Sequence, residues 1–341
     1  MNRRNARPRL DLVIPVFNEQ DVIEVLVSQL CAQFSSKNLT DAGLSSVRYI
    51  FVDDGSADET AARVRDKIRS GIPALLIRLS RNFGHQAALS AGLDAADAEL
   101  VACMDADLQD PPELVYAMVE RWRDGCDVVY GQRRTRRERA LKRAGYWLFY
   151  RVLQSLSDIP IPRDSGDFCL MDQKVVTALR ALPEKLRFIR VLRAWVGFSQ
   201  AAVPFDRPAR KAGAPKYDWR GLYRLATDGI AAASIRPLQL AQVVSFGFFL
   251  LAMVFLSLLG FALFLAPEAP TPPFELIALL LLMLGNASLA LCIYILGAYV
   301  GRTYLEVKGR PSYLVMERIG QRQEDGDEAD KPRVGAHEKE D

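Results

Sequence analysis

The stretch ELVACMDADLQDPPELVYAMVERW, residues 99–122, contains the pattern that decides the fold. Its first part is a short apolar run, which is typical of a buried strand. The run ends at Asp105 and Asp107, two carboxylates separated by one residue, and two prolines follow. Proline is well tolerated in the first turn of a helix, so the apolar spacing after it predicts a helix. A strand, an acidic turn and a helix in succession indicate an α/β fold.

The same alternation extends from Leu10 to about residue 131. Strands are predicted at 10–17, 47–54, 74–80 and 127–131, and helices at 19–34, 58–68 and 84–97. Strands alternating with helices predict βαβ units and a mostly parallel sheet. Such sheets bind ligands beyond the carboxyl ends of their strands. Three predicted strand ends carry acidic residues and together outline a crevice of nucleotide size: Glu19; Asp53 and Asp54; Asp105 and Asp107.

The composition excludes several classes of site. A net charge of +3 over 341 residues gives no indication of nucleic-acid binding. The five cysteines form no CxxC pair, and we interpret them as reduced packing residues. The chain has only two histidines, His85 and His337, which argues against a histidine-based zinc site or a catalytic triad. We interpret His85 as structural, because its sequence block opens a helix.

Two segments near the C-terminus, 238–266 and 276–300, contain no charged residue. Each is long enough to cross a bilayer, which takes about 20 apolar residues. The turn between them lacks lysine and arginine, whereas both outer flanks carry them. The positive-inside rule therefore predicts that both flanks are cytoplasmic. The expected organisation is a cytoplasmic catalytic domain (1–235), a transmembrane hairpin (236–309) and a charged tail (310–341), disordered beyond 321.

The stretch TRRERALKRAGYWLFYRVLQSL, residues 135–156, has basic residues in its first half and aromatic residues in its second. This pattern predicts a helix at the membrane surface. The alternative is a solvated helix that packs its aromatic residues on the domain core. A second membrane-surface helix is expected near 219–235.

An Asp-x-Asp pair after a strand can hold a divalent cation through carboxylate oxygens. Mg²⁺ and Mn²⁺ leave coordination sites for substrate phosphates, so the pair is suited to a departing nucleoside diphosphate. A lone pair of this kind is more often a solvated turn or a helix cap. The two other polar strand ends favour the metal interpretation here.

The blocks IPVFNE, VDDGSADET, RNFGHQ, DADLQDPPE and DVVYGQR together resemble glycosyltransferase family 2. More narrowly, the chain is similar to the polyprenyl-phosphate glycosyltransferases, which include dolichol-phosphate mannosyltransferase relatives and bactoprenol glucosyltransferases. The resemblance covers residues 10–309. It implies a GT-A fold, a Rossmann-like domain with a mostly parallel sheet, followed by two transmembrane helices. It also implies inverting sugar transfer from a nucleotide-sugar to undecaprenyl or another polyprenyl phosphate. The reaction is expected at the inner face of the cytoplasmic membrane, for modification of cell-envelope glycans.

The resemblance implies roles for individual residues on the donor side. The residues expected to line the nucleotide pocket are Pro15, Phe17, Asn18, Glu19, Asp53 and Asp54, the last two at the base and ribose. Lys216, in the block APKY, is expected to close over the diphosphate, although Pro215 stands where the family has serine. Asp105, Asp107 and Gln109 are the expected ligands of Mg²⁺ or Mn²⁺.

On the acceptor side, the resemblance implies that Arg133 receives the lipid phosphate, with Arg143 as a second contact. Asp167, in SGDFCLMD, is expected near the sugar and the acceptor, and with Asp105 and Asp107 forms the predicted catalytic set. UDP-glucose is the expected donor, with GDP-mannose or an amino-sugar nucleotide as alternatives. A processive polysaccharide synthase is disfavoured because RVLRAWVG lacks QxxRW, and a non-catalytic membrane scaffold because every acidic motif position is filled. A homo-oligomer formed through the two spans is compatible with the sequence.

Overall fold

The structure, a computed structural model, describes residues 4, 6–133, 165–185, 187–206, 236–265 and 274–320. Within these ranges the strands are β1 (Arg9–Val16), β2 (Ser46–Asp53), β3 (Ala74–Leu79), β4 (Leu100–Cys103), β5 (Val128–Arg133), β6 (Ser165–Asp172), β7 (Gln200–Phe205) and β8 (Val315–Ile319). The helices are α1 (Gln20–Gln33), α2 (Ser36–Asp41), α3 (Thr60–Arg69), α4 (His85–Ala95), α5 (Leu114–Arg123), α6 (Gln173–Ala181), α7 (Ile189–Trp195), α8 (Arg236–Leu265) and α9 (Phe274–Val307).

All the described strands form one sheet in the order β7-β5-β6-β4-β1-β2-β3-β8. Strands β4, β1, β2 and β3 are parallel, as are β5 and β7, whereas β6 is antiparallel to both β4 and β5. Val16 lies opposite Asp53, and Val13 opposite Cys103. The predicted α/β fold with a mostly parallel sheet is therefore confirmed. The carboxyl ends of β1, β2 and β4 share one edge of the sheet, and the amino end of β6 lies at the same edge.

Helices cover both faces of the sheet, so the central strands are apolar on both sides. One face packs against α1, α3 and α5, and the other against α4, α6 and α7. Gly92 lets α4 lie close to the sheet, because a Cβ atom at this position would collide with Val13 Cγ1. This close packing fixes the position of His85, the first residue of α4.

Helices α8 and α9 contain segments, Ala241–Leu258 and Ile277–Val307, that are long and apolar enough to cross a membrane. The two helices pack against each other. Their large apolar side chains are mostly exposed, for example Phe249, Leu256 and Ile293. A core helix of a soluble protein would bury such side chains, so the exposure favours a membrane hairpin.

The chain returns to the sheet after α9 and adds β8 antiparallel to β3. Ser80 N–H donates to Leu314 O at 2.9 Å, and Arg65 Nη2 lies 3.0 Å from Glu317 Oε2. Residues 315–319 are thus an edge strand of the domain, whereas the sequence predicted only a charged tail from residue 310. The strand is short and contains two charged residues, so its sequence carries little signal. The predicted surface helices and the tail beyond 321 lie outside the described residues.

Candidate active site

The loop after β1 is hydrogen-bonded to the loop after β2. Asn18 has a φ of 50°, in the left-handed region that asparagine tolerates better than most residues. Its N–H donates to Ser56 Oγ at 2.9 Å, and its Oδ1 accepts from Ala57 N–H at 3.0 Å. Glu19 N–H donates to Thr60 Oγ1 at 2.8 Å. The two strand ends predicted to hold the nucleotide therefore form one hydrogen-bonded unit.

Both acidic residues at the end of β2 are engaged by the protein itself. Asp53 is fully buried; its Oδ1 accepts from Ser56 N–H at 3.0 Å and its Oδ2 lies 3.2 Å from Arg78 Nε. Asp54 accepts from Phe83 N–H at 2.7 Å and from Gly84 N–H at 2.9 Å. Burial raises the pKa of Asp54, and these two backbone hydrogen bonds partly offset the rise. Asp54 thus holds the RNFGHQ loop in place, and its predicted contact with a ribose or base stays a prediction.

The acidic turn after β4 begins where Met104 N–H donates to Val13 O at 3.0 Å. The buried Asp110 shapes the turn, since its Oδ2 accepts from Asp105 N–H at 3.2 Å. Asp107 Oδ1 accepts from Gln109 N–H at 3.1 Å. The side chains of Asp105 and Asp107 are partly exposed.

Asp167 is at the centre of a cluster of polar side chains that lie far apart in the sequence. His85 Nε2 lies 3.2 Å from Asp167 Oδ2, and Gln86 Nε2 donates to the same oxygen at 3.0 Å. Arg190 Nε lies 3.3 Å from Asp167 Oδ1. His85 Nε2 is also 3.7 Å from Asp105 Oδ1, so it stands between two of the predicted catalytic carboxylates. The pairing of β6 with β4 explains why Asp167 lies near Asp105. Cys169 of β6 is opposite Cys103 of β4, and this register brings Asp167 to the acidic turn.

The charges of this cluster stabilise one another. Burial alone would raise the pKa of Asp167, but the charge of Arg190 and the hydrogen bond from His85 hold it well below its usual range. Burial alone would lower the pKa of His85, but the hydrogen bond to Asp167 and the charges of Asp105 and Asp167 raise it to about 9. At neutral pH, Asp167 is an anion and His85 a cation. A carboxylate with so low a pKa is a weak general base.

The structure therefore adds three residues that sequence reasoning did not assign to the site: His85, Gln86 and Arg190. His85 was interpreted as structural, and its place between Asp105 and Asp167 gives it a direct contact with the predicted catalytic set. Two features of the sequence could have indicated a role for His85: histidine is rare in this chain, and His85 lies in the RNFGHQ block. Gln86 belongs to the same block, whereas nothing in the sequence around Arg190 indicated a contact with Asp167.

The remaining predicted site residues are only partly described. Pro15 is buried in β1 opposite Val52, and Phe17 follows that strand at its carboxyl end. Arg133 is the last residue of β5 and lies opposite Phe205 of β7. Strand β5 runs parallel to β4, so Arg133 ends at the edge that carries the acidic turn. Arg143 and Lys216 lie outside the described residues.

The oxygen atoms of the acidic turn can be compared with the ligands that a divalent cation needs. Asp105, Asp107 and Gln109 offer oxygen atoms, which Mg²⁺ and Mn²⁺ prefer. Among the residues that the structure describes, no group of three or more His, Cys, Asp or Glu side chains is arranged to hold a metal ion. The donors fit a cation that takes its other ligands from a substrate and water.

The chain matches one family model and is similar to several known proteins. The family model for glycosyl transferase family 2 matches residues 11–180. An uncharacterized glycosyltransferase of Synechocystis sp. is 39% identical over 317 residues, which cover 91% of this chain and 96% of the relative. The bactoprenol glucosyl transferase of Shigella phage SfII is 33% identical over 313 residues, which cover 90% of this chain and 97% of the relative. A solved mannosyltransferase from Pyrobaculum calidifontis, in complex with GDP-Man and Mn²⁺, is similar with a TM-score of 0.46 at 18% identity, over 90% of this chain and 80% of that one.

Proposed function

This chain belongs to glycosyltransferase family 2, and from that premise we propose that it transfers one sugar from a nucleotide-sugar to a polyprenyl phosphate. The observation that carries the proposal is the meeting of Asp105 and Asp167 through His85 at the carboxyl edge of the sheet. Relatives named bactoprenol glucosyl transferase support the lipid acceptor, as do the two apolar helices. The same relatives favour UDP-glucose as the donor.

On the donor side, the joined loops after β1 and β2 would bind the nucleoside. Asp105 and Asp107, with Gln109, would hold Mg²⁺ or Mn²⁺ together with the donor diphosphate. When bound, such a cation neutralises the negative charge that develops on the departing diphosphate. The chain itself contributes a preformed turn, because Asp110 and the backbone of Gln109 already fix the two acidic residues.

On the acceptor side, a phosphate monoester has a second pKa near 6, so it is mostly a dianion at neutral pH. Such an oxygen is nucleophilic without a strong general base. This matches an Asp167 that is held ionised by Arg190 and His85. In the proposed step, an acceptor oxygen forms a bond to the anomeric carbon as the bond from that carbon to the diphosphate breaks. The nucleoside diphosphate leaves from the opposite face, which inverts the carbon.

Two anions must approach each other in this reaction, and arginine is suited to that task. A guanidinium group binds phosphate through paired, charge-assisted hydrogen bonds. We assign this role to Arg133, with Arg143 as a second contact. Asp167 would then hold the position of a neighbouring cation, Arg190, and orient the sugar.

The donor is tested by a screen with the full-length protein in vesicles that contain undecaprenyl phosphate. UDP-glucose, GDP-mannose and UDP-N-acetylglucosamine are supplied separately with Mg²⁺ or Mn²⁺, and lipid-linked sugar is counted. We expect product from UDP-glucose, with one sugar per lipid. Product from GDP-mannose would reassign the donor, and chains of several sugars would indicate a processive synthase. Absence of product with every donor, in folded protein, would contradict the proposed function.

The proposal also requires the catalytic domain to face the cytoplasm, where nucleotide-sugars are made. We expect a membrane-impermeant thiol reagent, applied to intact cells, to label a cysteine introduced at Thr271 and to spare one introduced at Ser312. The unmodified chain, which has an exposed cysteine at Cys31, is the matched background. Labelling of Ser312→Cys but not Thr271→Cys would place the catalytic domain outside and contradict the proposal.

A further inference from the structure

The segment after α9, residues 308–320, contacts α4 and joins the sheet as β8; we call it the exit strap. Tyr313, in the strap, donates its hydroxyl hydrogen to Asp94 Oδ2 at 2.7 Å. Asp94 is in the last turn of α4, at the opposite end from His85. Arg187 Nη1 lies 3.6 Å from the other oxygen of Asp94. The strap therefore meets the connection between α6 and α7, which contains Arg187, at a shared carboxylate.

The last turn of α9 contacts the same connection. Lys185 N–H donates to the Glu306 carboxylate, with distances of 2.9 Å to Oε2 and 3.1 Å to Oε1. Arg187 Nη2 in turn donates to the carbonyl oxygens of Leu179 and Leu182, both at 3.1 Å, at the end of α6. The connection is thus held from two sides, by α6 and by the end of the membrane hairpin.

This connection leads directly into α7, which carries Arg190. Ile189 N–H, at the start of α7, donates to Gln86 Oε1 at 2.8 Å, while Gln86 Nε2 donates to Asp167. Arg190, the residue after Ile189 in α7, contacts Asp167. A continuous series of contacts therefore runs from Glu306 and Tyr313 to the carboxylate at the centre of the candidate site.

We propose that Glu306 and Tyr313 are positioning residues for sugar transfer, which hold the start of α7 so that Arg190 stays against Asp167. Among the described contacts of this connection, Glu306 binds the backbone of Lys185 directly, and Tyr313 binds Asp94, the partner of Arg187. The hairpin then does more than keep the domain at the membrane, because its cytoplasmic end sets the geometry of the site. The effect on catalysis rests on the proposed function, whereas the effect on α7 does not.

The test uses the full-length protein in vesicles and the variants Glu306→Ala, Tyr313→Phe and the double variant. One hydrogen bond contributes a factor of roughly three to ten, so we expect each single variant to lower kcat by about that factor. We expect KM for the donor to stay unchanged, because the donor loops are on other elements. Backbone hydrogen exchange of the peptide 182–195 should become faster in both single variants and in the double variant. Glu317→Ala is the matched control, since it removes the ion pair with Arg65 in the same strap without touching the connection.

Two results would overturn the proposal. One is unchanged hydrogen exchange of peptide 182–195 in the double variant, with a thermal unfolding midpoint equal to that of the parent protein. The other is an equal loss of kcat in Glu317→Ala, which would indicate that the strap stabilises the whole domain and not α7. If no donor gives product with the parent protein, the proposed function fails by itself. The exchange measurement still decides whether the exit of the hairpin holds α7.

Discussion

Replacement of Asp107 by alanine is expected to lower the rate of sugar transfer by about a thousandfold, because the charge of the departing diphosphate would lose its counter-charge. The fold should be unaffected. Asp107 is partly exposed in the turn after β4, and among its contacts in the structure is the backbone N–H of Gln109 in that same turn. Lipid-linked product is measured in vesicles at saturating donor, and thermal unfolding checks the fold.

Glu113→Ala is the matched control, because Glu113 is an exposed carboxylate close to Asp107 in sequence. It should keep parental activity. Excess EDTA should stop transfer by the parent protein, and Mg²⁺ or Mn²⁺ should restore it. Full turnover in chelator, or an Asp107→Ala variant as active as the parent, would show that the acidic turn does not act through a divalent cation.

Replacement of Asp167 by alanine is expected to reduce both activity and stability. Its carboxylate is the common partner of His85, Gln86 and Arg190, and its side chain is only 9% exposed. Removal leaves two cationic groups close together without their shared anion. Loss of one partner of a buried ion pair costs about 3 kcal/mol, so the unfolding midpoint should fall by roughly 6–12 °C in a domain of this size. Transfer should fall at least about a hundredfold.

The pH dependence of stability gives a second test of Asp167. Its pKa is lower in the folded protein than in the unfolded chain, where it is about 3.9. The stabilisation is therefore present above pH 4 and is lost as the pH falls towards the folded-state pKa. The difference in unfolding midpoint between the parent and Asp167→Asn should shrink as the pH is lowered below about 4.

Asp127→Asn serves as the control for these measurements. Asp127 is a buried carboxylate paired with Lys174 and Arg4, at the amino end of β5 and away from the candidate site. Its replacement should lower the unfolding midpoint but keep the rate of transfer. If Asp167→Asn transfers sugar at the parental rate, the negative charge of Asp167 has no part in the reaction.

The sequence predicted the part of the fold in which local patterns agree with the tertiary structure. Strands β1 to β5 each contain an apolar run, and turn residues separate them from helices, so alternation alone identified them. The antiparallel strands β6 and β8 were not predicted, and neither was β7, which pairs with β5. The strand β8 is five residues long, and its pairing with β3 joins residues far apart in the chain.

The candidate site was predictable to a smaller extent. Asp105 and Asp107 follow a clear strand, so their position at the edge of the sheet could be inferred. The contact between His85 and Asp167 joins residues 82 positions apart, and no local pattern specifies it. Asp54 illustrates another limit of local patterns: an acidic residue at a strand end can face a ligand or its own backbone, and here both oxygens accept backbone hydrogen bonds.

The pairing of β8 with β3 has a consequence for the order of synthesis. Strand β3 is made early, whereas β8 emerges from the ribosome only after both apolar helices. Until then β3 is an uncovered edge, and unpaired edge strands are templates for aggregation. This edge of the nascent domain therefore stays open until both apolar helices have been made and the chain can fold back to cover its own sheet.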